Sequence, residues 1–579
     1  MSQSSDDAPT GPIPGQTQQP PPDSAPPQAP AEGPRAAGRP TPRWNVAGDL
    51  TAAALLVIAL VLPWNLYSGM GIPGSNTTLF AVLLAVTLLS LISIAVAGSW
   101  RSSSARFNAA AANRLRLWLN VPYLLLVLVF VGFDAFETVR FGGTVTVPGG
   151  VGPGAWLGIA GALLNAQPVI TGAAADDEKL SGWLRSARII GYASMLLALL
   201  SFGFNLYWRV KYALTDTAGS SGFGKQNIAV IATAVVYGVV ALVAILVASR
   251  WLLRSTTASR MATVALGAST LAAGIIVWCL PVGRDIDAFH GIAQNTSTAG
   301  VGFEGYLAWA AAAAIFAPRT LLALFGDRTR STTEDNAWRA AARNGLLLIA
   351  VWCLGSMVMR ITDLVVGVIL NYPYSRYDSI VLAAFDLVTA VLAIWLRVNL
   401  ANDAVSARLI SSLCGLVATL SISRVVVGVA LAPRFEEMPN PAAQNPVYGN
   451  NLAQQITSTF DVALCGLALC ILTAAIITGH LTGRRLRPQK RRAARKRAGA
   501  TSAQSAEATT RIPAGAQPPS AAPTRVRVGG ASTPSAAATT RIPTGPATQS
   551  PRIFRGDDSG TRQIPVPKPK IYRPPHDSQ

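Results

Sequence analysis

The chain has 579 residues, half of them hydrophobic and only 13% charged, with a mean hydropathy of +0.37. Soluble proteins of this length carry about twice that charge fraction, so a water-soluble globular fold is excluded as the main architecture. The net charge of +20 would suggest nucleic acid in a soluble protein. Here the basic residues sit in short loops and one tail segment, which is a membrane-topology pattern, and no nucleic-acid partner is expected.

Residues 1–43 are polar and rich in Pro, Gln, Ala and Gly, too poor in apolar surface to offset chain entropy, and are expected to be disordered. They do not read as a cleavable signal peptide, so the first apolar run serves as an uncleaved anchor. A helical span needs roughly 20 apolar residues. Runs of that kind lie near 46–66, 78–98, 117–136, 153–172, 188–208 and 227–249, then near 261–282, 303–318, 344–371, 380–399, 409–432 and 455–478. The fourth, which contains Asn165 and Gln167, is the least hydrophobic. The expectation is an all-α fold: a polytopic transmembrane helical bundle of about twelve spans (44–480), built from repeated helical hairpins between disordered tails (1–43 and 481–579).

Charge placement orients the bundle. Loops on one side carry Arg101, Arg106, Arg114, Arg116, Lys179, Arg185, Arg188, Arg250, Arg254, Arg260, Arg319, Arg328, Arg330, Arg339, Arg343, Arg397 and Arg408. The other side carries Arg140, Arg209, Lys211, Lys225, Arg284, Arg376 and Arg434. Seventeen against seven puts the first side in the cytoplasm, and with it both termini of a plasma-membrane protein. Short matches recur along the chain: Asn65-Leu66-Tyr67 with Asn205-Leu206-Tyr207, Gly150-Val151-Gly152 with Gly300-Val301-Gly302, and Phe385-Asp386 with Phe460-Asp461. They suggest three four-helix blocks, although apolar sequence also produces chance matches.

Charge inside a span costs about 2.5–3.5 kcal/mol per residue at mid-helix on insertion scales. The last four runs nevertheless hold Arg360, Asp363, Asp386, Arg424 and Asp461, all in the half of the bilayer away from the cytoplasm. Two readings apply. The five form ion pairs that fix packing, with Asp363 opposite Arg424 and one acid left over, or they form a site for a proton, a cation or a polar head group. Asp134, Glu137, Asp285 and Asp287 read as interfacial residues at helix ends. The cysteines Cys279, Cys353, Cys414, Cys465 and Cys470 form no CxxC pair or Cys/His cluster, so neither a disulfide framework nor a metal site is expected. Gly69, Gly71 and Gly74 spell G-x-G-x-x-G after a membrane helix rather than a strand, where the dinucleotide mechanism has no basis. No catalytic motif and no cofactor signature is found, so no enzyme is expected.

The C-terminal tail begins with Arg484, Arg485, Arg487, Lys490, Arg491, Arg492, Arg495, Lys496 and Arg497. Such a cluster lies against anionic lipid head groups at about 1 kcal/mol per basic residue. Beyond it, Thr509-Thr510-Arg511-Ile512-Pro513 recurs as Thr539-Thr540-Arg541-Ile542-Pro543, with a degenerate copy from Thr561 to Pro565. Thr with a large aliphatic residue at +3 and Pro at +4 resembles the sites of actinobacterial Ser/Thr kinases. Its phosphorylated form resembles ligands of FHA domains. The acceptors would be Thr509, Thr539 and Thr561; drift by slippage is the alternative.

The Pro-rich leader, the Arg43-Trp44 entry to the first span, the short loops and the Thr/Pro/Arg tail together resemble uncharacterised polytopic membrane proteins of actinobacteria. That resemblance implies location and topology rather than an activity. Two functions are expected to compete: a transporter or translocator of a polar or lipid-linked solute, and a non-enzymatic membrane scaffold whose phosphorylated tail recruits cytoplasmic partners.

Overall fold

The computed structural model describes residues 42–65, 76–102, 109–141, 150–168, 177–215, 223–280, 301–326, 332–371, 376–402, 405–431 and 458–478. Nearly all of both tails lies outside the described residues, including the basic cluster 484–497 and the three threonine sites. So does the whole of Ala498–Gln579, a unit separate from Met1–Arg497.

The described residues form twelve helices, and each of the twelve apolar runs nucleates one. They are α1 (Pro42–Val61), α2 (Thr77–Ser102), α3 (Ala109–Phe141), α4 (Pro153–Ala166), α5 (Asp177–Thr215) and α6 (Lys225–Arg254). There follow α7 (Thr257–Cys279), α8 (Phe303–Gly326), α9 (Thr332–Ile369), α10 (Arg376–Asn399), α11 (Ala407–Leu431) and α12 (Thr459–Thr478). Eleven are long and apolar enough to cross a bilayer. Several extend well past their apolar runs: α3 starts at Ala109, α5 at Asp177 and α9 at Thr332. The added turns are rich in Ala, Arg and Leu, good helix formers that continue the backbone ladder at little cost.

The exception is α4. Its 14 residues span about 21 Å against a hydrocarbon core of about 30 Å. The fourth run was expected to be helical to 172, but the helix stops at Ala166 and Gln167 is extended (φ −70, ψ 148). Pro168 is the physical reason, since proline pushes the residue before it out of the α region. All of α4 except Ile159 and Leu164 is buried, so this helix is wrapped by protein rather than lipid. Its repeat counterpart α8 is also central: 67% of its span is buried, against 22% for α1, α2 and α5. In α12 the corresponding figure is 50%. The spans of α7 and α9 are 50% and 56% buried, so α4 and α8 lie in the middle of the bundle with α7, α9 and α12 beside them, and α4 packs on α1, α3 and α8.

Close backbone approach sets where α4 begins. The Gly152 N–H donates to the Trp64 carbonyl at 2.6 Å, and the Gly154 N–H to the Pro63 carbonyl at 3.0 Å. A Cβ on Gly152 would lie 2.4 Å from the Pro63 oxygen, a backbone atom with no rotamer to change. Gly152→Ala is expected to cost about 1–3 kcal/mol through overpacking, measurable as a lower melting temperature of the detergent-solubilised protein. Large aromatics fill the space between the central helices. Trp156 of α4 lies 4.6 Å from Tyr306 of α8, Trp309 lies 5.5 Å from Phe460 of α12, and Trp352 of α9 meets Phe460 edge-on at 4.7 Å. All five are at most 1% exposed.

Val151-Gly152 enters α4 and Val301-Gly302 enters α8 in the same way, whereas Phe460-Asp461 opens α12 and its match Phe385-Asp386 lies in the middle of α10. Asn205 lies inside α5, ten residues before its end, rather than at a helix terminus.

Candidate functional site

Four of the five charges expected in the third block meet in one chain of ion pairs, one from each helix. Arg360 of α9 places Nε 2.9 Å from Asp386 of α10. Arg424 of α11 places Nε 2.7 Å from the other Asp386 oxygen, and its terminal nitrogen pairs with Asp461 of α12. Exposure is 4% for Arg360, 0% for Asp386, 5% for Arg424 and 4% for Asp461. Neutral donors add to the carboxylates: Ser356 Oγ donates at 2.8 Å to the Asp386 oxygen that Arg360 also holds, and Trp352 Nε1 donates to Asp461 at 2.5 Å. The second Arg424 terminal nitrogen is 3.4 Å from Cys353 Sγ.

Asp461 has a further role. The Ser458 N–H donates to its carboxylate at 2.9 Å, while the Asp461 N–H points back to Ser458 Oγ at 3.4 Å. This reciprocal capping box starts α12 within the protein, and the acid in the first turn also suits the positive end of the helix dipole. The spacing Ser458-x-x-Asp461 was visible in the sequence as a helix-start signal.

Asp363 departs from the expected pairing. Arg424 bonds Asp386 and Asp461, whereas the half-buried Asp363 accepts from the Tyr237 hydroxyl of α6. Three residues beyond Arg360, it lies about one turn nearer the helix end and on the side of α9 that meets α6. There Gly355 packs so tightly that a Cβ would be 2.4 Å from Val240.

A second polar network was not anticipated. Arg116 of α3, assigned to a loop from its sequence, is a helical residue 4% exposed. It bonds Asp49 of α1 at 2.7 Å, and the backbone and side-chain oxygens of Asn165 at 2.9 and 3.1 Å. The Asn165 amide nitrogen lies 2.8 Å from the Ser90 carbonyl, 2.7 Å from Ser93 Oγ and 3.0 Å from Asn120 Oδ1. All four helices of the first block thus join at the end of α4. Next to it, Gln167 Nε2 donates to the Ala314 carbonyl at 2.6 Å. Pro318 of α8 has no N–H to offer that i−4 oxygen, and Gln167 supplies the missing donor.

The middle block has its own junction. Glu304, in the first turn of α8 and 4% exposed, accepts from Ser201 of α5. Ser194 Oγ donates to the Glu304 carbonyl at 2.8 Å and lies 3.1 Å from Ser249 Oγ of α6. Asp134, expected at a watery helix end, is 1% exposed. It lies seven residues before the end of α3, which runs farther than the apolar run predicted.

The family model described as "Domain of unknown function (DUF7937)" matches residues 45–480. No curated protein and no solved structure matches the chain.

Proposed function

The chain belongs to the DUF7937 family, and from that premise we propose that it is a non-enzymatic scaffold of the plasma membrane with both termini in the cytoplasm. In this reading the helical block anchors the protein. The basic segment Arg484–Arg497 lies on anionic head groups, and Thr509, Thr539 and Thr561 are phosphorylated to recruit a reader of the FHA type.

The observation that supports this most is the closure of the charged layer. Two arginines and two aspartates from four helices pair with one another and are at most 5% exposed. A carrier keeps binding groups available to its solute, whereas these face each other beside the aromatic contacts of Trp352 with Phe460.

A second reading, a translocator of a polar or lipid-linked solute, is favoured by two particular features. Asp363 stands outside the chain of ion pairs among the described residues. The short helix α4, entered through an extended Gly-rich segment, resembles the interrupted helices that line transporter sites.

Complementation of a deletion strain separates the two. One variant lacks residues 481–579 or carries Thr509→Ala with Thr539→Ala. The other keeps the tail but replaces Arg360 and Arg424 by Met, Asp386 by Leu and Asp461 by Asn. The scaffold reading expects the tail variants to fail and the layer variant, once shown to accumulate, to restore growth. Rescue by the tail variants with failure of an accumulated layer variant would overturn it in favour of translocation.

A further inference from the structure

One acid of the third block is left over when the charges of its layer are summed. Arg360 and Arg424 balance Asp386 and Asp461, so Asp363 carries an uncompensated negative charge within the span of α9. Among the described residues its one hydrogen bond comes from the neutral Tyr237 hydroxyl of α6. Arg360, one turn earlier on α9, directs its Nε to Asp386. A carboxylate inside a span keeps its charge only at high cost unless a cation compensates it.

A further oxygen stands beside this pair. Thr233 of α6 has its Oγ1 shielded from solvent and bonded to nothing among the described residues. Other threonines of the bundle behave differently: Thr51, Thr87, Thr263, Thr362 and Thr389 each donate to the carbonyl four residues earlier.

Two contacts fix how α6 and α9 face each other. A Cβ on Gly355 would lie 2.4 Å from Val240, and Tyr237 bonds Asp363, so the helices run antiparallel. From Val240 to Thr233 is about 10.5 Å along α6, and from Gly355 to Asp363 about 12 Å along α9 in the same direction. Thr233 and Asp363 are therefore level to within about 2 Å. Around α6, Thr233 lies about 20° from Val240 and about 40° from Tyr237, on the stripe that meets α9. Helical side chains lean toward the helix N-terminus, so the Tyr237 ring extends over the turn of Thr233 to reach Asp363. A carboxylate, a phenol and a hydroxyl from two helices thus stand together. Thr233 and Asp363, level but not hydrogen-bonded, have the relation of oxygens that share a cation between them.

We propose that Asp363, Tyr237 and Thr233 bind a monovalent metal cation of the sodium type at the joint of α6 and α9. Carboxylate and hydroxyl oxygens suit hard cations, and Tyr237 can donate its proton to Asp363 while a lone pair faces the ion. One positive charge balances the one unpaired acid, where a divalent ion would leave an excess. Asp363 lies about 9 Å before the end of α9, which gives the ion a short path from that end of the bundle. An ion there ties the middle block to the third, so the inference holds for an anchor and for a translocator alike.

Thermal melting of the full chain in detergent tests the site, with sodium chloride and choline chloride compared at equal ionic strength. A ligand that binds only the folded protein raises its melting temperature, and sodium is expected to do so for wild type. Asp363→Asn should melt at a temperature indifferent to the salt. Thr233→Val should need about tenfold more sodium for the same rise, the loss of one neutral ligand, and it decides if Asp363→Asn does not fold. Thr51→Val, which removes a hydroxyl bonded within α1, should respond as wild type. Carbodiimide, which modifies only a protonated carboxyl, separates the metal from a proton: sodium should protect Asp363 from the reagent, and absence of any label leaves the melting series to decide. No sodium-dependent rise in wild type, or a rise that persists in Asp363→Asn, overturns the proposal. Labelling of Asp363 that sodium does not suppress also overturns it and assigns the carboxylate a proton instead.

Discussion

Replacing Arg424 with Met is expected to destabilise the bundle by about 3–5 kcal/mol, more than any other single change in the third block. Arg424 touches both Asp386 and Asp461, so its loss leaves two buried carboxylates with one arginine, Arg360, in contact with only the first. Arg360→Met is expected to cost less, because Arg424 still reaches both acids. Adding Asp461→Asn to Arg424→Met should recover much of the loss. It removes the uncompensated charge, leaves Arg360 paired with Asp386, and keeps an acceptor for the Ser458 N–H. Exchanging Asp363 and Arg424 (Asp363→Arg with Arg424→Asp) should give no recovery, since Asp363 is bonded to Tyr237 on α6. Thermal melting in detergent orders these variants. A melting temperature unchanged by Arg424→Met, or a larger fall for Arg360→Met, would show that the layer does not work as a chain centred on Arg424.

That series rests on neighbour relations which the linear sequence contains only partly. The twelve apolar runs locate all twelve helices, because length and hydropathy are local properties. The charged layer is legible for a similar reason: an arginine inside an apolar run has few places to go other than a buried partner. The choice of partner depends on helix rotation and on which helices are neighbours. Asp363 and Arg424 look equivalent by repeat position, yet α9 turns Asp363 toward α6 while Arg360 faces α10. Helix ends were harder still. Reading the third span from 117 put Arg116 in a loop, whereas eight further helical residues place it among buried polar groups. Asp134 was misread at the other end of the same helix. Arg343 and Arg397 also counted as loop charges, although each lies within a membrane-spanning helix. For α4, the stop was written in the sequence as Gln167-Pro168, but hydropathy averaged across it.

The three junctions divide the labour of holding the bundle together. In lipid, apolar surface gives little reason for one helix to prefer another, so packing and interhelical hydrogen bonds decide neighbours. The first block uses amides around one arginine, the middle block hydroxyls around Glu304, and the third block alternating charges. Each junction links an outer helix to the buried fourth helix of its block: Asn165 on α4, Glu304 on α8 and Asp461 on α12. Aromatic contacts between Trp156, Tyr306, Trp309 and Phe460 then join the central helices across block boundaries. Local polar satisfaction within a block and close packing between blocks are separable contributions, and a change in one junction should be felt first in its own block.

Arg116→Leu tests that separation with the second large effect, a loss of about 3 kcal/mol. The substitution removes the Arg116 guanidinium from Asp49 and the donor to both Asn165 oxygens. Asp49 is 13% exposed at its side chain, which lets water relieve part of the penalty and keeps the cost below that of Arg424→Met. Arg116→Lys should recover only a fraction, because a single ammonium cannot reproduce the fork that reaches a carboxylate and two amide oxygens together. With its end released, the short helix α4 should open before the rest of the bundle. Hydrogen–deuterium exchange is therefore expected to rise at 160–168 and near 90–93, while 345–366 and 459–470 stay protected. A uniform rise across both sets of peptides would show that the junctions act as one cooperative unit rather than block by block. Unchanged exchange at 160–168 would remove Arg116 as the residue that fixes the end of α4.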